Sequence, residues 1–458
     1  MIDLYGPVLA KALFPAFEAA RGRPTVSLLR QLQDTERWTP DALRDLQVGL
    51  LRRLLRHAHR HTEYYRKVLD ERGLAPEDFF SAADLARLPL LDRATLRATM
   101  DTRTASAPPQ IVVTKMTSGS SGQPVIVKYN AESRHWRDAT RWRGYGWAGY
   151  RIGMRALHYW GFGPPVGPWW KRKKTQIDRM VKRDLYLDCT PRDDASLLAV
   201  VDQLRRFKPQ VIVAFANGVG ALAQFVNERG ARDWDAIPVM TGAERLMPHD
   251  RAAIERAFGP AFDTYGCREV QLIGAECEAH DGHHTSMENV IVELIVRQPD
   301  GTLRHASPGE SGEVVVTDLH NLAHPMIRYV TGDLAVARDD APCSCGRGLV
   351  RIGPIEGRVS EVLYDGQGRP VGGLVFAIIL AAMGDATRAW QVVQRLDRSI
   401  VFKVIPYTGN ALPERAETML REYIARYIPG VPFTIEIVDE IPLTPAGKRQ
   451  QIVVERPA

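Results

Sequence analysis

Residues 209–230, PQVIVAFANGVGALAQFVNERG, carry the pattern that decides the fold class. The continuous apolar run PQVIVAF predicts a buried strand, and VGALAQFVNERG has the spacing of a helix that ends at Gly230. The same order then repeats in the strand IPVMTGAE, the helix MPHDRAAIERAFG and the strand AFDTYG. Strands that alternate with helices predict an α/β sheet, in which ligands bind at the carboxyl ends of the strands.

Two turns fall at such strand ends and are the first candidate ligand sites. One is TGAE (241–244) and the other is TYGCRE (264–269). The candidate residues in them are Gly242, Ala243, Glu244, Tyr265, Gly266, Arg268 and Glu269.

The stretch TKMTSGSSGQPVIVKYN (114–130) places a loop of hydroxyl and glycine residues between two short apolar strands. Glycine allows a tight bend and a close approach, and successive N–H groups in such a turn bind anions such as phosphate. The loop lacks the Gly-Lys ending of a Walker loop, because Gln123 follows Gly122. A flexible hairpin is the alternative interpretation. The loop residues are Thr117, Ser118, Gly119, Ser120, Ser121 and Gly122.

Composition narrows the class of protein. The chain has 458 residues, of which 45% are hydrophobic and 25% charged, which is ordinary for a globular protein of about two to four domains. Acidic and basic residues are mixed and the net charge is only +6, so no nucleic-acid partner is expected. No apolar run is long enough to predict a membrane span. Five cysteines without a signal-peptide pattern favour a reducing compartment, and we therefore expect a cytoplasmic protein.

The remaining segments complete the expected organisation. Residues 40–74 predict a helix with leucines on one side, and the basic run RRLLRHAHRHTEYYRK within it fits either a membrane-surface helix or, as we favour, a solvated face. The strand-rich segments NVIVELIV, GEVVVTDL and MIRYVTGDLAVA follow. A last unit contains the helix ERAETMLREYIARYI, and a hinge is expected near Arg358.

Five motifs in order resemble one enzyme superfamily. The chain resembles the adenylate-forming enzymes, which include acyl-CoA synthetases and luciferases, in the motifs TSGSSGQP, TYGCRE, YVTGD, GR (357–358) and TPAGK. AECEAHDGHH and CSCGRG are similar, more narrowly, to the phenylacetate–CoA ligase-like branch. The resemblance covers about residues 40–458 and implies an α/β fold. The implied domains are a large N-terminal domain (1–357) of mixed α/β sheets with a small barrel, and a small mobile α+β C-terminal domain (358–458).

The resemblance also implies a two-step reaction and assigns residues to it. ATP activates a carboxylic acid as an acyl-adenylate, and the acyl group then passes to coenzyme A. The loop 117–122 would bind the β- and γ-phosphates, Tyr265 would lie against adenine, Asp333 would accept hydrogen bonds from the ribose, and Glu269 would hold Mg²⁺.

Further implied roles concern charge at the reacting atoms. Arg358 would donate to the ribose or a phosphate, and TGAE would frame the adenine and the acyl pocket. Lys448, in TPAGK, would place a positive charge at the carboxylate and the α-phosphate and stabilise the transition state. Lys448 and Glu269 are thus the candidate catalytic residues. Their local alternatives are a solvated lysine and an ion pair between Glu269 and Arg268.

Three departures from the family pattern leave the acceptor open. Arg268 stands where Ser or Thr is usual, Ser360 stands at the hinge where Asp or Lys is common, and YDGQGRPVGG only loosely resembles the loop of the thioester-forming site. An acid–CoA ligase is the leading hypothesis, with an aromatic acid as substrate. Transfer to an amine is the rival, and a non-catalytic nucleotide-binding protein is the third. A homodimer is left open.

A second candidate site is a set of possible metal ligands, Cys277, His284, Cys343 and Cys345. Three sulfurs and one nitrogen make a closed tetrahedral zinc site of the structural type, and some members of the resembled branch carry zinc in matching positions. His280 and His283 are rival ligands, and a set of reduced surface cysteines beside a His-rich loop is the alternative. Cys189 and Cys267 are expected to be core or site-lining residues.

Overall fold

The computed structural model describes residues 3–116, 126–160, 168–191, 193–358, 363–367, 370–371, 387–406, 411–443 and 450–455. The α-helices in these ranges are α1 (Tyr5–Val8), α2 (Phe14–Ala20), α3 (Thr25–Thr35), α4 (Pro40–His61), α5 (Glu63–Asp70), α6 (Arg93–Ala98), α7 (Ala131–Trp147), α8 (Trp169–Lys182), α9 (Asp194–Phe207), α10 (Ala216–Glu228), α11 (Pro248–Ala257) and α12 (Glu414–Tyr427). Shorter helical turns are Leu9–Leu13 (π), Pro76–Asp78 and Ala82–Arg87 (both 3₁₀).

The strands in the same ranges are β1 (Ile111–Met116), β2 (Ile126–Asn130), β3 (Ala156–Trp160), β4 (Asp184–Asp188), β5 (Val211–Phe215), β6 (Val239–Gly242), β7 (Ala261–Cys267), β8 (Gln271–Glu276), β9 (His283–Thr285), β10 (Val290–Arg297), β11 (Leu303–His305), β12 (Ser311–Asp318), β13 (Tyr329–Val336), β14 (Arg351–Ile352), β15 (Ile355–Arg358), β16 (Leu363–Tyr364), β17 (Pro370–Val371), β18 (Thr387–Gln394), β19 (Ile400–Pro406), β20 (Phe433–Ile437) and β21 (Ile452–Val454).

The described chain forms two compact units. The first comprises residues 1–154 and 262–355, and the second comprises residues 155–261 and 356–458. The predicted boundary between residues 357 and 358, and the predicted small barrel, stay predictions.

The first unit combines helices with antiparallel sheets. Strands β11, β10, β12 and β13 lie side by side in that order, and β14, β9, β8 and β7 form another run of neighbours. Strands β1 and β2 pair antiparallel and flank residues 117–125. The strands predicted from NVIVELIV, GEVVVTDL and MIRYVTGDLAVA are confirmed as β10, β12 and β13.

The helix predicted over residues 40–74 is two helices in the structure. Thr62 has an extended backbone, and its hydroxyl accepts a hydrogen bond from the amide of Tyr65, so it caps α5 and ends α4. The buried face of α4 consists of Leu43, Gln47, Leu51, Leu54, Leu55 and Ala58. The spacing in the sequence predicts an apolar face that also includes Leu46 and Leu50, but these two are only partly buried, so the buried face is rotated from the predicted one. The buried leucines leave the basic residues of α4 on its outer side, as the favoured interpretation requires.

The second unit contains the parallel sheet that the sequence predicts. Strands β6, β5, β3 and β4 lie in that order and all their described pairings are parallel, for example Leu157 opposite Ile212. Helices α9, α10 and α11 alternate with these strands and pack against them in an apolar core whose residues include Leu157 and Phe258. Parallel strands covered by helices read as continuous apolar runs, which explains why VIVAF was recognisable.

The C-terminal part of the second unit is an α+β element. Strands β20, β19, β18 and β21 form a mixed sheet, and Leu420 and Ile424 of α12 belong to its apolar core. The predicted mixed α/β class is therefore confirmed. Among the described residues, no helix is both long enough and apolar enough to cross a lipid bilayer.

Candidate active site

The motif TGAE lies at the carboxyl end of the parallel strand β6, as predicted. Gly242 ends β6, and Ala243 adopts a left-handed backbone (φ 65°), which is uncommon for a residue with a Cβ. Oε2 of Glu244 accepts a hydrogen bond of 3.1 Å from the amide of Asn217, in the first turn of α10. The carboxylate thus satisfies an amide at a helix N-terminus, where negative charge is favoured. A backbone outlier at a strand end is typical of ligand-binding turns.

The turn TYGCRE closes the hairpin between β7 and β8. A Cβ on Gly266 would lie 2.1 Å from the carbonyl oxygen of Gln271, so no side chain fits at this position. The glycine is required by the close approach of the two strands, which is a structural reason independent of any ligand. Arg268 is exposed and Glu269 is buried.

The first carboxylate of the site is Asp333, which is tied to Tyr265. The Tyr265 hydroxyl donates to Oδ2 of Asp333 at 2.9 Å, although the two motifs lie 68 residues apart in the chain. The Asp333 amide donates to the Thr331 hydroxyl at 3.1 Å, and Gly332 between them has φ +83°. Burial, and next the charge of Asp333, raise the pKa of Tyr265 well above its usual value, so its hydroxyl remains a donor.

The second carboxylate is Glu269, which is tied to Tyr329. The Tyr329 hydroxyl donates to Oε1 of Glu269 at 3.0 Å, and both residues are buried. Burial, and next the negative charge of Glu269, raise the pKa of Tyr329. The motifs TYGCRE and YVTGD therefore meet at two points, each a tyrosine that donates to a carboxylate.

Arg93 is a charged neighbour of this site that the sequence did not reveal. Burial lowers its pKa, but Tyr329, Glu269 and Asp333 outweigh that effect, so the pKa of Arg93 is raised overall. Arg93 follows Leu91, whose amide donates to the carbonyl oxygen of Arg328 at 2.8 Å, and this fixes the segment beside β13. One cation thus faces two carboxylates.

Several predicted site residues lie outside the described residues. They are the loop residues Thr117, Ser118, Gly119, Ser120, Ser121 and Gly122, the hinge residue Ser360 and the lysine Lys448. The backbone of Arg358 ends β15, and its side chain is not described. Their assigned roles stay predictions.

Four predicted metal ligands come together in the first unit. The ligand atoms of Cys277, His284, Cys343 and Cys345 all lie within 4.8 Å of one another. The sulfurs of Cys277 and Cys343 are 3.7 Å apart. A tetrahedral zinc ion with Zn–S bonds of about 2.3 Å places two sulfurs about 3.8 Å apart. The geometry therefore fits a four-coordinate ion.

The hydrogen bonds of the histidines favour His284 as the candidate ligand. Nδ1 of His284 lies 2.9 Å from the carbonyl oxygen of Leu349, which can only accept, so Nδ1 carries the proton. Nε2 then offers its lone pair, 3.3 Å from the sulfur of Cys345. The rivals face away from the cluster: His283 Nε2 contacts Asp263 at 3.1 Å and His280 Nδ1 contacts Glu276 at 3.2 Å.

The protonation of the cluster is consistent with metal binding. Burial is the main cause that lowers the pKa of His284 to about 4, so its imidazole is neutral near pH 7. Burial likewise raises the pKa of the Cys277 thiol to about 12. A bound dication supplies the positive charge that a buried thiolate needs.

Comparison with known proteins shows what the chain is similar to. No family model matches it. A phenylacetate–coenzyme A ligase from Thermus thermophilus is 27% identical over 367 residues, which are 79% of this chain and 80% of that protein. A phenylacetate–coenzyme A ligase from Escherichia coli is 28% identical over 355 residues, which are 73% of this chain and 75% of that protein. The crystal structure of a 2-hydroxyisobutyryl-CoA ligase in the postadenylation state covers 90% of this chain and 89% of its own, with 20% identity and a TM-score of 0.68.

The chain has the fold of this CoA ligase, and within that fold the motifs TYGCRE and YVTGD are joined by a hydrogen bond. The sequence similarity is to phenylacetate–CoA ligases over most of both chains. The chain therefore resembles the phenylacetate–CoA ligase-like branch of the adenylate-forming superfamily.

Proposed function

We propose that the protein is an AMP-forming carboxylate–CoA ligase. In the first step an oxygen of the substrate carboxylate attacks the α-phosphorus of ATP, and the bond to pyrophosphate breaks. In the second step the thiol of coenzyme A attacks the acyl carbon, the thioester forms and AMP leaves. The observation that carries the proposal is the joining of TYGCRE and YVTGD by the hydrogen bonds from Tyr265 to Asp333 and from Tyr329 to Glu269.

The nucleotide end of the site uses the first of these pairs. Tyr265 lies against the adenine, and Asp333 accepts hydrogen bonds from the ribose hydroxyls. The hydrogen bond of 2.9 Å between the two side chains supports this assignment, because it holds the carboxylate in one orientation. The turn TGAE borders the adenine and the acyl pocket, and Arg358 donates to the ribose or a phosphate.

The phosphate end uses the second pair and two predicted elements. Mg²⁺ prefers oxygen ligands and usually binds to one or two carboxylates together with substrate phosphates. The buried carboxylate of Glu269, with Oε1 held by Tyr329, fits that requirement. Residues 117–122 bind the β- and γ-phosphates, and Lys448 offsets the repulsion between the carboxylate and the α-phosphate.

The cluster of Cys277, His284, Cys343 and Cys345 binds Zn²⁺ as a structural ion. Its ligands come from two segments, 277–284 and 343–345, so a bound ion connects them. Four protein ligands leave no open position, which is typical of structural and not of catalytic zinc. The five free thiols suit a reducing compartment, and we assign the enzyme to the cytoplasm.

The substrate class we propose is an aromatic or similarly apolar carboxylic acid. The similarity to phenylacetate–coenzyme A ligases supports it. The acceptor is coenzyme A, and transfer to an amine is the alternative that the loosely matching segment 364–373 leaves open.

The test is acid-dependent exchange of pyrophosphate into ATP with a mixed library of carboxylic acids, read by mass spectrometry. Exchange with an aromatic acid, and a thioester after coenzyme A is added, is the expected result. Exchange followed by amide formation with amines, but no thioester, would show that the acceptor is an amine and not coenzyme A. Nucleotide binding without exchange for any acid would show a non-catalytic protein.

A further inference from the structure

Helix α8 (Trp169–Lys182) exposes an apolar face. None of the helix residues is buried. Its large apolar side chains are each between 46% and 70% exposed; they are Trp169, Trp170, Ile177, Met180 and Val181. With 3.6 residues per turn, positions 169, 177 and 180 form one stripe, and positions 170 and 181 lie directly beside it. The helix is thus amphipathic, with its apolar side towards solvent.

Most of the net positive charge of the chain is carried by this helix. Its 14 residues include six basic residues and only Asp178 as an acid, so its net charge is +5. The whole chain of 458 residues carries +6. Four exposed cations, Lys171 to Lys174, directly follow the two tryptophans.

The polar side of α8 contacts the protein. The Arg179 guanidinium lies 3.8 Å from the centre of the Tyr186 ring in β4. On the same side of the helix, Asp178 and Lys182 are only partly exposed and pair with each other at 2.7 Å. This arrangement is the reverse of α4, whose leucines are buried and whose basic residues face outward. In α8 the apolar side chains are therefore exposed to solvent among the residues that the structure describes.

We propose that α8 binds the surface of an anionic lipid bilayer and lies in the plane of the interface. A helix with tryptophan and aliphatic residues on one face and many Lys and Arg residues around it has the composition of an interfacial helix. Tryptophan favours the boundary between headgroups and acyl chains, and clustered basic residues are attracted to anionic headgroups. Lys173, within the apolar stripe, has a long stem that can keep its charge at the headgroups.

Charge and composition disfavour the other occupants. A second copy would bring two helices of net charge +5 together, which is repulsive. Protein interfaces are depleted in lysine, whereas three of the four residues from 171 to 174 are lysines. Nucleic acid would use the cations and the indole rings but leaves no role for Ile177, Met180 and Val181.

The test is flotation of the full chain with lipid vesicles at low salt, and it does not depend on the proposed ligase activity. The protein should float with vesicles of equal parts phosphatidylcholine and phosphatidylglycerol but not with phosphatidylcholine alone, and added salt should release it. Trp169→Ser/Trp170→Ser should weaken binding at least about tenfold, and Lys171→Glu/Lys174→Glu should do the same. Since these side chains are exposed, the melting temperature should be unchanged.

Two matched controls separate the helix from general surface effects. Phe80→Ser removes another aromatic ring, which is 73% exposed, and Lys67→Glu reverses another exposed cation. Both should float like the wild type. Absence of wild-type binding, or binding that neither double variant changes, would overturn the proposal. It would also be overturned if sedimentation showed a dimer that Trp169→Ser/Trp170→Ser dissociates while vesicles remain unbound.

Discussion

Replacing Tyr329 by phenylalanine removes the hydroxyl that holds Glu269 and leaves the ring in place. The ring is fully buried, so the substitution creates no cavity of note; it removes the hydrogen bond of 3.0 Å to Glu269 and, with it, the hydrogen bond from Arg93 to the same hydroxyl. Because the pKa of Tyr329 is raised, the wild-type hydroxyl is a donor at every pH of interest.

The size of the effect follows from the burial of both partners. Glu269 is only 4% exposed, so water cannot readily replace the lost donor. A hydrogen bond to a charged group contributes about 1.5–3 kcal/mol, and we expect the free energy of unfolding to fall by about 2 kcal/mol. Loss of a group that orients a metal ligand costs about 10–100-fold in metal affinity or activity, so the Mg²⁺ concentration needed for half-maximal exchange should rise in that range.

Two measurements with one control test this reasoning. Urea denaturation gives the free energy of unfolding, and acid-dependent ATP–pyrophosphate exchange at varied Mg²⁺ gives the metal requirement. The control is Tyr65→Phe, whose hydroxyl also is buried but hydrogen-bonds to two backbone groups, the carbonyl oxygen of Pro325 at 3.4 Å and the amide of Ile327 at 3.1 Å. It should lose about 1 kcal/mol and keep the wild-type Mg²⁺ requirement. A stability loss without any change in the Mg²⁺ requirement of the Tyr329 variant would refute the role of Glu269 as a metal ligand.

Three further perturbations address other parts of the molecule. Wild-type protein should contain about one zinc per chain, and Cys343→Ser should lose the metal and melt at a lower temperature; elemental analysis of a stable, metal-free wild type would contradict this. Lys448→Ala should reduce ATP–pyrophosphate exchange on the order of 100–1,000-fold at an unchanged melting temperature, and undiminished exchange would mean that another residue is the catalytic lysine. Burial lowers the pKa of His324 to about 3. Below the unfolded pKa of about 6.5 the unfolded chain therefore binds a proton that the folded chain does not, so the stability decreases as the pH is lowered. Denaturation at pH 7 and pH 5 should show a loss of about 2 kcal/mol from this group that His324→Gln lacks, and equal losses in both proteins would contradict the burial effect.

The order of strands and helices was predictable because each depends on local patterns. The run VIVAF identifies β5 by its continuous apolar character, and the motif order marks Asp333 and Glu269 as candidate site residues. The break between α4 and α5 was missed because it depends on one hydroxyl, that of Thr62, which caps the second helix within an otherwise helical pattern.

The contacts around the carboxylates were beyond the sequence for a different reason. Arg93 reaches the carbonyl oxygen of Thr331 at 3.4 Å across 238 residues of chain, and nothing in its neighbourhood distinguishes it from other arginines. The choice of His284 over His280 and His283 depends on what the other nitrogen of each ring contacts, which spacing does not encode. The thiols were predictable because cysteine pairs at such short spacing have few other uses in a long chain.

The hydrogen bonds of Tyr265 and Tyr329 have a consequence for how tightly a nucleotide binds. Both carboxylates accept a hydrogen bond from a hydroxyl that belongs to the protein itself, and this restricts their orientation. Immobilising a flexible side chain on binding costs about 0.5–1.5 kcal/mol, and here folding has met that cost in advance. The site is therefore preorganised, and calorimetry should find a smaller entropy loss on nucleotide binding to the wild type than to a variant in which both tyrosines are phenylalanine.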